Sequence, residues 1–238
     1  MGPRYWLFVA GALVLAAVIA YNTFLSGQLL RRWRPTRNLL LLPGENLLRL
    51  VLILVCLGLG WLSGLDHRQL GWVWPDGWTP VIWALVWGVA LALLFAGSTV
   101  WLVRRTGKRY YSPVVVQAIL PRDRRELILV CLAMGPVVLL EELLFRSLLV
   151  GGLAPVVPLP LLVVGWSIAF GLLHSPQGRW GMLGASLAGA LLSWLFLRDG
   201  SLLTPLLAHY TTNIVQVGQA MHLQDELEDN PVRLADSG

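Results

Sequence analysis

Seven stretches of mostly apolar residues, each about long enough to span a bilayer, divide this chain: about 6–24, 47–65, 81–103, 127–150, 159–174, 180–197 and 202–221. A run of roughly 20 apolar residues fits a helix crossing the ~30 Å hydrocarbon core of a bilayer. A helix also satisfies its own backbone hydrogen bonds there. The expected architecture is an all-α, polytopic transmembrane helical bundle of about seven spans. Composition agrees: 56% of the 238 residues are hydrophobic and 13% charged, where a soluble domain carries about 25% charged. The first stretch is too long for a signal-peptide core and lacks a clear cleavage site, so it reads as a span. Three parts follow: residues 1–126, with three spans and basic loops; 127–222, a four-span core; and 223–238, a polar acidic tail read as disordered.

The net charge of +5 rests on arginine, and the arginines cluster. The loop after span one carries Arg31, Arg32, Arg34 and Arg37. The loop after span three carries Arg104, Arg105, Lys108, Arg109, Arg122, Arg124 and Arg125. The second loop has only Arg68, and the fourth has no charge. This is the pattern of membrane orientation and excludes nucleic acid as the partner. Loops one and three face the cytoplasm, the amino terminus lies outside, and the carboxyl terminus is cytoplasmic. The compact chain with short loops reads as a multi-pass protein of a bacterial inner membrane.

Trp72, Trp74 and Trp78 read as an interfacial belt. Residues 110–121, too short to span, read as a helix lying along the inner surface. Cys56 and Cys131 read as free thiols packed as small hydrophobes. In span six, small residues recur four apart at Gly181/Ala185, Gly184/Ala188 and Ala185/Gly189. Such a face admits close helix approach, either within the chain or in a homodimer.

Against this apolar background, Glu141 and Glu142 stand side by side in span four. Ionisable groups at that depth are costly and usually functional. Glu142 and Arg146, four apart with the acid first, suit an ion pair on one helix face. Glu141 points about 100° away, which leaves it free for acid–base chemistry. Span five ends with Phe170 and His174 on a shared face. Span seven places His209 and Asn213 four apart, both able to donate to a developing oxyanion.

These three elements, Glu141-Glu142-x-x-x-Arg146, Phe170-x-x-x-His174 and His209-x-x-x-Asn213, resemble the motifs of the CAAX-processing and bacteriocin-processing (CPBP) intramembrane proteases, whose eukaryotic relatives are the Rce1-type prenyl-protein proteases. The resemblance covers about residues 127–218. It implies an intramembrane endopeptidase acting on a membrane-anchored protein or peptide, such as a CAAX-like protein, a bacteriocin precursor or a carboxyl-terminal sorting helix. It implies that Glu141 and His174 activate a water, that His209 and Asn213 form an oxyanion hole, and that Glu142, Arg146 and Phe170 support them.

A zinc version uses Glu141, His174 and His209 as ligands with an open water position. The absence of His-Glu-x-x-His, and Asn213 beside His209, favour the metal-free glutamate mechanism. A small-ion transporter and a non-catalytic immunity or scaffold protein are the other readings. Counting along the spans puts Glu141 and His209 toward the outer face, which predicts extracytoplasmic cleavage, yet puts His174 near the inner end of its span. A tilted or re-entrant fifth segment would reconcile them.

Overall fold

The computed structural model describes residues 1–32, 37–107 and 113–229, and among them only helix, turn and loop occur. The helices are α1 (Pro3–Arg32), α2 (Pro43–Ser63), α3 (Thr79–Thr106), a short α4 (Pro113–Ile119), α5 (Arg124–Glu142), α6 (Leu159–Leu173), α7 (Gly178–Asp199) and α8 (Leu203–Asp229). The expected disordered tail overlaps α8, which runs to Asp229; residues 230–238 lie outside the described residues. So do Arg34, Lys108 and Arg109. Of the expected surface segment 110–121, the described part forms α4.

Local chemistry sets the boundaries. Prolines open α2, α3 and α6, where a missing N–H costs nothing. Gly64, Gly107 and Gly200 close α2, α3 and α7 in the left-handed region. Asp123 caps α5 by accepting from the Glu126 N–H at 2.7 Å.

Five helical stretches among the described residues are long and apolar enough to cross a membrane: Pro3–Leu30, Pro43–Ser63, Thr79–Thr106, Arg124–Gly151 and Ser175–Asp199. Helix α6 is shorter, at 15 residues, and α8 interleaves polar residues. The connections alternate between two ends of the bundle, which is compatible with about seven spans. At one end Tyr5 Oη donates to Gly152 O, Ser147 Oγ to Leu70 O, and the Leu202 N–H to Gly71 O. At the other, Asn38 Nδ2 donates to Ile119 O, and Gly27 meets Pro176. Arg32, Arg37, Arg104, Arg105, Arg122, Arg124 and Arg125 belong to the helix ends and connections at this second, basic end.

The centre of the bundle is the continuation of α5. From Leu143 to Gly151 the helix widens to π-type hydrogen bonding, and every one of these residues is buried. The Gly152 N–H reaches back five residues to Ser147 O. Outward-facing apolar residues such as Leu54, Trp61 and Leu132 are exposed, as expected where lipid is the solvent.

Two close approaches lock the surrounding helices. A Cβ at Gly171 would lie 2.5 Å from Met182 O and also strike Ser186 Oγ, so α6 and α7 touch backbone to backbone. A Cβ at Gly88 would lie 2.6 Å from Ala208 O, and Thr212 Oγ1 donates to Gly88 O at 3.0 Å, joining α3 to α8. Gly184 and Gly189 of the small-residue stripe pack inside the chain, against Phe95 of α3 and Ser167 and Phe170 of α6.

Candidate active site

The glutamate pair divides by burial. Glu142 is fully enclosed, its side chain 0% exposed, and pairs with the equally enclosed Arg146 at 2.8 Å. The i,i+4 helical spacing makes this contact. Arg146 also donates to Gly189 O of α7 at 3.3 Å. Its guanidinium lies 4.7 Å from the centre of the Phe170 ring. A buried charge pair is tolerable only when its other surroundings help, and here a carbonyl and an aromatic face do so. Glu142 Oε2 and Arg146 Nε have no hydrogen-bond partner among the described residues.

The side chain of Glu141, by contrast, is 29% exposed. It lines a cleft of about 200 Å³ together with His174, Phe170, Thr23 of α1 and Arg49 of α2. His174 is oriented by its own helix: Nδ1 lies 2.8 Å from Phe170 O. A carbonyl oxygen can only accept, so Nδ1 carries the hydrogen and a neutral His174 keeps the Nε2 lone pair free. Phe170 thus serves twice, its carbonyl fixing the tautomer and its ring bearing on Arg146.

His209 of α8 lies between the two glutamates. Its Nδ1 is 2.7 Å from Glu142 Oε1, and its Nε2 is 3.6 Å from Glu141 Oε2. Glu142 therefore holds α5 to itself through Arg146 and to α8 through His209, a link across 67 positions of chain that helical spacing does not reveal. Asn213 lies one turn further along α8 and turns its Nδ2 toward Met134 Sδ at 3.7 Å. It is not among the residues lining the cleft.

Zinc would suit two imidazoles and a carboxylate, and each histidine has an outer hydrogen bond of the kind that orients a ligand. Among the described residues no three His, Cys, Asp or Glu side chains are arranged so as to hold a metal ion, although His209 stands beside both glutamates. The site's chemistry is therefore followed through the protein's own groups.

The cleft's depth differs from a count along straight spans. Thr23 and Arg49 belong to the halves of α1 and α2 nearest the basic end, so the cleft runs from Glu141 toward that end. Counting fails because α6 is short. Its 15 residues rise about 22 Å at ~1.5 Å each, less than the ~30 Å core. His174, at its end, stops within the bundle and lines the cleft with Glu141. Arg49 was missed in the sequence, although a lone cation inside an apolar run was the signal for it. Thr23 carried no such signal.

Residues 124–215 match the family model described as type II CAAX prenyl endopeptidase Rce1-like. This segment is Rce1-like. It contains all three motifs, and over this stretch the chain is similar to that membrane-protease family. No curated protein and no solved structure matches the chain. The Rce1-like segment holds Glu141, His174, His209 and Asn213, while Thr23 and Arg49 come to its cleft from helices outside the matched region.

Proposed function

We propose that this protein hydrolyses a peptide bond of a membrane-anchored protein or peptide by a glutamate-activated water, without a metal. The observation that carries this reading is the unequal burial of the glutamates: Glu141 opens on the cleft that His174 shares, and Glu142 is sealed behind it. Water held between Glu141 and His174 Nε2 attacks the substrate carbonyl carbon. Glu141 takes the water's proton and returns it to the nitrogen as the C–N bond breaks. The carbonyl oxygen becomes an oxyanion beside α8, where His209 and the Asn213 amide serve as donors. That role requires His209 to carry hydrogen on both nitrogens, since Nδ1 donates to Glu142.

The orientation from the loop arginines makes the basic end cytoplasmic, so the cleft faces the cytoplasmic half of a bacterial inner membrane. The test is mapping of membrane-protein termini in wild-type, deletion and Glu141→Gln strains at native expression. Termini lost in both altered strains identify substrates. A Glu141→Gln strain with the wild-type pattern would refute the catalytic reading.

A further inference from the structure

Among the described residues Arg49 is the one Lys or Arg lining the Glu141 cleft, and few of its donors are engaged. Nη1 donates to Asn46 Oδ1 at 3.0 Å. Nη2 stands 3.7 Å from Glu45 Oε2, a side chain 52% exposed, while Arg49 itself is 16% exposed. A guanidinium has five N–H donors, so most of this fork is uncommitted in an apolar setting where an unmet charge is expensive. Among the described residues its ion pair is with Glu45, not Glu141. The two charged groups therefore line the same cleft and act on each other through charge without forming an ion pair.

That arrangement needs an anion that arrives with the substrate. A peptide brings one kind of anion, the carboxylate, from its free terminus or from an acidic side chain. A planar carboxylate matches the guanidinium fork in two parallel hydrogen bonds. We propose that Arg49 is the specificity residue of this cleft, receiving a substrate carboxylate a short extended stretch from the bond that Glu141 cleaves. This rests on the protease reading above. It also gives α2, outside the matched segment, a direct part in substrate choice.

The test uses purified full-length protein in liposomes and a library of synthetic hydrophobic peptides in three forms: free acids, carboxyl-terminal amides, and amides with Asp and Glu replaced by Asn and Gln. Cleavage is read by mass spectrometry. Wild type should cleave carboxylate-bearing forms about 10- to 100-fold better in kcat/KM, mainly through KM, with bonds cut at a fixed short distance from the carboxylate. Loss of preference on amidation alone identifies the terminus as its source; loss only with the Asn/Gln forms identifies the side chain. The preference should collapse in Arg49→Gln and survive in part in Arg49→Lys. Comparing peptides needs no altered protein, so it holds even where Arg49→Gln folds poorly. Equal cleavage of all three forms, or an unchanged preference in Arg49→Gln, overturns the inference. A uniform fall in kcat for every form would instead make Arg49 an electrostatic aid to Glu141, and also overturns it. Cleavage persisting in Glu141→Gln would refute the glutamate mechanism, and with it the inference that Arg49 serves the bond Glu141 cleaves.

Discussion

Glu142 makes two contacts with different consequences: Arg146 on its own helix and His209 on α8. Removing one member of a buried pair strands the other, at a cost of about 3–5 kcal/mol. Glu142→Ala and Arg146→Ala should each lower stability in detergent by about that much, and Glu142→Leu/Arg146→Met should lose clearly less than their sum. Chemical denaturation of the four proteins checks this; additive losses would mean that the pair carries no coupling. At the residue scale, much of this was legible. The i,i+4 spacing gave the Glu142–Arg146 pair, because helix geometry is local. The His209–Glu142 bond was hidden, because it depends on how two helices distant in sequence are packed.

Helix α6 carries glycines in two unlike settings. Gly171 faces Met182 O and Ser186 of α7, whereas Gly165 has nothing within 4 Å of an added Cβ. Gly171→Val should force α6 off α7, destabilise by about 1–3 kcal/mol, and weaken cleavage by moving His174. Gly165→Val should be near neutral on both counts. Thermal unfolding and cleavage rate distinguish them, and equal effects would refute backbone contact between α6 and α7. At the element scale the existence and order of the helices could be read from apolar runs and from Pro and Gly punctuation. The π-type continuation of α5 could not, since no residue between Leu143 and Gly151 marks a change in hydrogen-bond spacing. The stopping depth of α6 was equally obscure, because apolar residues look alike whether they cross the whole membrane or part of it.

For the whole molecule, orientation decides which compartment the cleft meets. Single cysteines at Arg37 and Arg68, in a background lacking Cys56 and Cys131, should react oppositely with an impermeant maleimide. In intact cells position 68 should label and position 37 should not, with the reverse in inverted vesicles. Labelling of position 37 from outside would turn the cleft to the other face. The basic loops supply an expected orientation at the scale of the chain, whereas the cleft's own direction emerged only with the packing of α1, α2 and α6.

The brevity of α6 also bears on the lipid around it. Leu161, Val164, Ile168 and Leu172 are exposed along this helix, so acyl chains border a hydrophobic surface several ångströms shorter than their natural thickness. A bilayer meets such a mismatch by thinning locally. A dimple there would draw headgroups and their hydration toward His174 and shorten the path of the water that the proposed hydrolysis consumes. Cleavage in proteoliposomes should therefore fall as acyl chains lengthen, because a thicker, stiffer sheet resists the dimple and keeps the reaction dry.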